Sequence, residues 1–177
     1  SCLVGSEMCI RDSHRYPSTS HSDLRNAISK VLGLPSDQII CGVGSDEIIS
    51  LLCQTFSGYG DEVIYTEHGF AMYKISALAA GASPVEVKET NRTADIRKII
   101  DSCNENTKLI FIANPNNPTG TMISLEEIHN LSEKIPKQTL LVLDGAYAEY
   151  VDHYDGGAEL VKILSLIHIS EPTRQDR

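Results

Sequence analysis

Asn117, Asp144 and Tyr147 are an amide, a carboxylate and a phenol, each standing just past an apolar run that reads as a buried strand. The first run, Lys108-Leu-Ile-Phe-Ile112, leads into Ala113-Asn-Pro-Asn-Asn-Pro-Thr-Gly120. The second, Thr139-Leu-Leu-Val-Leu143, leads into Asp144-Gly-Ala-Tyr147. A carboxylate against a heteroaromatic ring nitrogen keeps that nitrogen protonated and makes the ring an electron sink. An amide and a phenol can hydrogen-bond an oxygen on the same ring. Taken singly, the first motif is also a plain Pro/Asn/Gly loop and Asp144 a plain strand-end turn residue. In order, each behind its own strand, they point to one crevice.

The elements that must position them are legible around the motifs. Leu125, Ile128, Leu131 and Ile135 recur at helical spacing after the cap-like Ser124, so the two strands and this helix form a βαβ unit. Such a unit is expected to run its strands parallel with their carboxyl ends on one edge, where open α/β sheets take their ligands. The chemistry that fits the trio is that of pyridoxal phosphate, a pyridine ring carrying a phenolic oxygen.

Upstream the same alternation continues. Leu24, Ala27, Ile28, Val31 and Leu32 predict an amphipathic helix with Ser22 as its cap and Gly33 as its stop. A short strand is expected over Gln38 to Cys41, then Gly42-Val-Gly-Ser45, then a helix from about Asp46 with Ile48, Ile49, Leu52 and Phe56 inward. A strand over Glu62 to Tyr65, a helix over Phe70 to Ala80, a strand over Pro84 to Val87 and a helix over Ala94 to Cys103 complete the pattern. The expected architecture is three-layer α/β/α around a mostly parallel sheet. A glycine turn opening a helix, as at Gly44, presents backbone N–H groups and the positive end of the helix dipole, which suit a phosphate. Glu47 reads as a first-turn acid that compensates the dipole.

With these motifs in place the chain resembles the fold-type-I pyridoxal-phosphate aminotransferases, and within them the histidinol-phosphate branch, from about His14 to Glu149. The resemblance implies the partial large domain of such a transferase. It implies that Asn117 and Tyr147 contact the ring oxygen and that Asp144 pairs with the ring nitrogen. Gly44, Ser45 and Asp46 would cradle the phosphate through backbone N–H groups, with Phe70 stacked on the ring. Tyr16 would reach across a homodimer interface to the neighbouring subunit's cofactor phosphate. The family motif has Glu where this chain has Gly145, a position that contacts neither ring atom. The substrates implied are an amino acid and a 2-oxo acid, histidinol phosphate and 2-oxoglutarate foremost, in histidine biosynthesis. The segment Tyr65-Thr-Glu-His-Gly-Phe-Ala-Met-Tyr73 carries that choice; aromatic amino-acid aminotransferases and phosphothreonine decarboxylase-like enzymes share the scaffold. The Schiff-base lysine is expected in a downstream segment that none of Lys74, Lys88, Lys98, Lys108, Lys134, Lys137 or Lys162 matches, so this chain itself is expected to be inert.

The two ends read differently. Leu164-Ser-Leu-Ile-His-Ile-Ser-Glu-Pro-Thr-Arg174 can be back-translated to a DNA word whose reverse complement, in another frame, encodes Leu3-Val-Gly-Ser-Glu-Met-Cys-Ile-Arg-Asp12. One word in inverted orientation at both ends looks like translated sequencing adapter. Residues 1–13 and 164–177 are therefore expected to be non-native and to stay off the core, leaving residues 14–163 as the biological segment, an internal slice of a longer gene. Glu7, Arg11 and Asp12 interrupt any apolar core of a signal peptide.

Composition bounds the rest. Roughly 150 residues make one domain with a sizeable core. A net charge of −9 without a basic stripe argues against nucleic acid. No interior apolar run reaches the roughly 18 residues a membrane span needs. Of five cysteines, Cys41, Cys53 and Cys103 lie in the interior within apolar patterns. Odd in number and without a C-x-x-C, they are expected to be buried thiols in a reducing cytoplasm. The six histidines lack paired ligand spacing, so no metal site is expected.

Overall fold

The computed structural model describes residues 19–162, 164 and 166–169. By its internal contacts the chain divides into a unit ending at Cys41 and a larger one from Gly42 onward.

In the first unit, helix α1 spans Ser22–Leu32 and stops at Gly33, whose left-handed φ of 64° lets its N–H bond the Ser29 carbonyl. Ser22 is the first helical residue and not the cap. His21 holds that place, with no side-chain hydrogen bond to the helix. No residue of α1 is buried. Arg25 Nε donates to the Ser36 carbonyl at 2.9 Å, tying the helix to the 3-10 turn Ser36–Gln38 that follows. The expected strand over Gln38 to Cys41 does not form: the turn takes Gln38, and the rest is irregular. Residues 39–41 pair with no strand among the described residues, and an extended segment without a neighbouring edge is no strand.

The larger unit is built on one parallel sheet. Its strands are β1 (Glu62–Thr66), β2 (Ser83–Val87), β3 (Thr107–Ala113), β4 (Leu140–Asp144) and β5 (Leu166–Ile169). They lie in the order β2-β1-β3-β4-β5, every neighbouring pair parallel. From β1 the chain steps outward to β2, then crosses back past β1 to β3, so the carboxyl ends of β1 and β3 flank a topological switch point. The helices are α2 (Ser45–Phe56), α3 (Ala71–Ala79), α4 (Ile96–Ser102), α5 (Leu125–Lys134) and α6 (Ala158–Val161).

The inner strands β1, β3 and β4 bury both faces, as their apolar runs require, while the edge strand β2 leaves Ser83 and Glu86 exposed. On one face Ile64, Ile110, Ile112, Leu141 and Leu143 pack with Ile96 and Ile99 of α4 and Ile128 and Leu131 of α5. On the other, Val63, Tyr65, Leu109, Phe111 and Val142 pack with Ile49, Leu52 and Cys53 of α2 and Tyr73 and Ala77 of α3. Helices thus cover the sheet on both sides, giving the three expected layers.

The helix starts follow local chemistry. Asp95 accepts from the N–H groups of Arg97 and Lys98 at the head of α4. Ser124 accepts from the Glu127 N–H while Glu127 Oε2 accepts from the Ser124 N–H at 2.8 Å, a reciprocal capping box on α5. On α2 the inward set is Ile49, Leu52 and Cys53; Phe56, expected inward, is 47 % exposed because it falls on the last turn. Only Cys53 of the three interior thiols is buried. Cys41 and Cys103 are half-buried, Cys103 because it caps the carboxyl end of α4. Burial pushes the Cys53 and Cys103 thiols up to about 11, which keeps both protonated and poorly nucleophilic.

The carboxyl-terminal segment departs from expectation. Leu166–Ile169 was expected to stay off the core, yet it hydrogen-bonds along β4 in register Leu141–Leu166 to Asp144–Ile169, and Ile169 is 3 % exposed. An edge strand presents unpaired N–H and C=O groups, and a mostly apolar tetrapeptide satisfies them. The fit is imperfect: His168 Nε2 is buried without a hydrogen-bond partner among the described residues. Burial pulls that imidazole down to about 4. Residues 1–13 and 170–177 lie outside the described residues.

Candidate functional site

The carboxyl ends of β3 and β4 sit side by side, Ala113 in register with Asp144, and the Asn114 N–H donates to the Asp144 carbonyl at 2.9 Å. Parallel pairing therefore brings the two motif tips to one edge. The loop after β3 is a built turn. Asn114 is fully buried, its amide nitrogen donating to the Ile123 carbonyl at 3.1 Å and to Tyr154 Oη at 2.7 Å. Asn116 donates through its side chain to Thr119 Oγ1 at 2.8 Å, and its carbonyl accepts from Gly120 N–H at 2.8 Å. Gly120 takes φ 69°, which explains a glycine there.

Asp144 is 5 % exposed. Its Oδ1 accepts from the Ala146 N–H at 3.0 Å and its Oδ2 from the Tyr73 hydroxyl at 2.7 Å. Tyr73 is itself 1 % exposed and lies stacked on Phe111, ring centroids 4.8 Å apart and planes 8° from parallel. Burial first, then the Asp144 charge and hydrogen bond, hold the Tyr73 phenol well above its ordinary pKa, so it remains the donor. Phe70 precedes α3 and meets Tyr73 edge-on at 6.0 Å.

At the head of α2, Gly44 is the capping residue with φ 115° and Ser45 is buried. The Val43 N–H donates to Glu47 Oε2 at 2.8 Å, so Glu47 closes the turn as its first-turn position suggests. A side chain at Gly42 would displace the tips of two neighbours, its Cβ falling 2.6 Å from Glu47 Oε2 and 2.9 Å from Ile48 Cδ1. Asp46 points to solvent.

One pocket gathers these parts. Ser45, Phe70, Tyr73, Ala113, Pro115, Asn117, Asp144, Ala146 and Tyr147 line it. Five of the sequence-derived residues, Ser45, Phe70, Asn117, Asp144 and Tyr147, thus share one cavity at the carboxyl ends of β1, β3 and β4. Gly44 and Asp46 flank Ser45 on the same helix start without lining the cavity. Tyr16 lies outside the described residues. Sequence reasoning missed Tyr73 and Asn114. Tyr73 stands three residues after Phe70, one helical turn on and so on the same face, a spacing that was available. Asn114 sat inside the motif, overshadowed by Asn117.

The chemistry of this cavity is definite. A buried carboxylate calls for a cationic or hydrogen-bonding partner. Beside it stand an amide, a phenol, an aromatic face and the start of a long helix whose dipole favours an anion. A flat ring with a protonated nitrogen, a polar substituent and a phosphate arm meets each of these in turn. Among the described residues lining the cavity there is no lysine.

Comparison with known proteins places this geometry. The family model for aminotransferase class I and II matches residues 9–166. The histidinol-phosphate aminotransferase of Ruegeria sp. (strain TM1040) is 62 % identical over 148 residues, 84 % of this chain and 41 % of that protein. That of Roseobacter denitrificans is 60 % identical over 150 residues, 85 % of this chain and 42 % of that protein. The chain thus spans about two fifths of the curated relatives it matches. Among solved structures, the Sinorhizobium meliloti histidinol-phosphate aminotransferase in complex with pyridoxal-5'-phosphate superposes with a TM-score of 0.82 at 23 % identity. It covers 95 % of this chain and 46 % of that one. The Thermus thermophilus aspartate aminotransferase with maleate gives 0.81 at 20 % identity, covering 94 % and 47 %. At such identities these two speak for the fold. From the matched model, the parallel sheet and the strand-end motifs together, the chain belongs to the class I and II aminotransferase family.

Proposed function

We propose that this chain is the cofactor-binding part of a pyridoxal-phosphate-dependent aminotransferase acting on histidinol phosphate and 2-oxoglutarate. The observation that carries the cofactor is the buried Asp144 carboxylate in a cavity shared with Asn117, Tyr147, Phe70 and Ser45. The substrate rests on the identity to histidinol-phosphate aminotransferases from two bacteria. When bound, pyridoxal phosphate supplies a protonated ring that accepts electron density from the reacting carbon. The protein's part is to hold and tune. Asp144 keeps the proton on the ring nitrogen. Asn117 and Tyr147 hold the ring oxygen and so fix the ring's rotation. Phe70 covers one face of the ring and excludes water from it. Gly44, Ser45 and Asp46 offer backbone N–H groups at the helix start to the phosphate, and the exposed Asp46 carboxylate points away from it. Tyr16 completes the phosphate site of a second subunit in a homodimer, and the enzyme works in the cytoplasm. Among the described residues no helix is long and apolar enough to cross a membrane.

A second reading has its own support. The cavity's described lining holds no lysine, and transamination through this cofactor needs a lysine that bonds to it and moves a proton. By itself the chain then binds cofactor without turnover, with residues 1–13 and 164–177 as translated adapter around the native segment.

Both readings meet in one experiment. Titrating the chain with pyridoxamine 5'-phosphate, which needs no covalent lysine, should give saturable binding. Asp144→Asn should weaken it about tenfold or more, the scale of a charge-assisted hydrogen bond. Treating the chain with pyridoxal phosphate and borohydride should label no single lysine stoichiometrically. Unaltered affinity in the Asn variant would remove Asp144 from the ring nitrogen. One fully labelled lysine would overturn the second reading.

A further inference from the structure

We propose that Tyr73 is a positioning residue for Asp144: its hydroxyl holds the buried carboxylate ionised and fixed in direction toward the cavity. The proposal rests on the reading of Asp144 as the partner of the ring nitrogen. Tyr73 reaches Asp144 across a sequence separation of 71 residues, from α3 to the end of β4, at 2.7 Å. Neither partner can drift. Tyr73 is clamped against Phe111 of β3 by its stacked ring and is met edge-on by Phe70.

A carboxylate this deeply buried is driven toward its neutral acid by desolvation, and a neutral acid cannot keep a proton on a ring nitrogen. A hydrogen bond donated to the charged form opposes that drift. A phenol suits the task, because burial and the Asp144 charge hold it well above its ordinary pKa and leave its proton in place. Bonding Oδ2, it also divides the carboxylate, since Oδ1 is taken by the Ala146 N–H. Among the described residues, the other titratable group lining this cavity is Tyr147, from the segment after β4. From α2, Ser45 lines it while Asp46 and Glu47 are exposed. His168 on β5 is in register with Leu143, so it stands on the opposite face of the sheet from Asp144.

The test reads the carboxylate directly in the ligand-free chain. Aspartate labelled with carbon-13 gives the pH midpoint of the Asp144 carboxyl by NMR, its signal assigned by loss in Asp144→Asn. Tyr73→Phe keeps the ring and its stacking and removes one oxygen, so the midpoint should rise by roughly one pH unit. Biosynthetic replacement of tyrosine by the more acidic 3-fluorotyrosine strengthens the donor and should lower the midpoint, a result independent of whether the Phe variant folds. A residue serving only to pack would move neither, and an unmoved midpoint overturns the proposal. Pyridoxamine 5'-phosphate titrations of the same proteins separate the two claims. Affinity should fall in Tyr73→Phe and further in Asp144→Asn. A shifted midpoint with unchanged affinity in Asp144→Asn would leave the hydrogen bond standing and sink the cofactor reading beneath it.

Discussion

At the scale of residues, two buried titratable groups in this chain are treated very differently. Asp144 has a backbone N–H on one oxygen and a phenol on the other. His168 has a buried Nε2 with no partner among the described residues. Its folded pKa of about 4 lies below the ordinary 6.5. As pH falls below 6.5 the unfolded chain takes up a proton that the folded chain refuses, so stability falls until about pH 4. The gap corresponds to about 3 kcal/mol, an upper figure for one group. Melting temperatures between pH 7 and pH 4.5 should therefore decline more steeply in the unaltered chain than in His168→Leu. The leucine variant should also be the more stable at pH 7, because a buried unpaired nitrogen costs roughly 1–3 kcal/mol. Parallel pH profiles would show that the imidazole is solvated. The Asn117, Asp144 and Tyr147 trio was legible because each polar residue falls within a few positions of the end of an apolar run. The spacing from Phe70 already put Tyr73 on the same helix face, but its pairing with Asp144, 71 positions away, is recorded by no local pattern.

At the scale of elements, legibility tracked how local the cause was. Ser124 as the cap of α5 and Gly33 as the stop of α1 are local signals, and both act where the sequence implies; Glu127 then completes a capping box with Ser124. Ser124→Ala should cost about 1 kcal/mol and lower the melting temperature by about 2–4 °C. Circular dichroism melts check this, and an unchanged melting temperature would show that α5 is held by packing alone. The segment over Gln38 to Cys41 had strand-like composition and made none, for want of a neighbouring edge. Leu166–Ile169 is the converse: expected to be foreign to the core, it became β5 because β4 offered an edge with unpaired groups. Pairing of that kind depends on the neighbour and cannot be read from four residues.

At the scale of the whole molecule, the alternation of apolar strand and amphipathic helix announced the layers, and both hydrophobic clusters fall where that pattern puts them. The sheet order depends on long-range pairing and came from the structure. The functional proposal also belongs to this scale, since the chain spans about two fifths of its curated relatives. Grafting residues 14–163 into the Ruegeria histidinol-phosphate aminotransferase, in place of the matching segment, should give an enzyme that transaminates histidinol phosphate. Retention of cofactor binding with loss of that activity would point to one of the related substrates.

The construction of β4 has a consequence of its own. Leu141 and Leu143 belong to one hydrophobic cluster and Val142 to the other, while β3 and β5 bond the strand on both edges. Asp144, as its last residue, cannot shift without disturbing two close-packed interiors at once. The carboxylate therefore acts as a fixed electrode: a ligand must come to it, and little conformational entropy is lost when one does. Adjustment of its strength is left to softer neighbours. A lineage refining this site for a new substrate would be expected to vary the side chains around Asp144 long before it moved the strand that carries it.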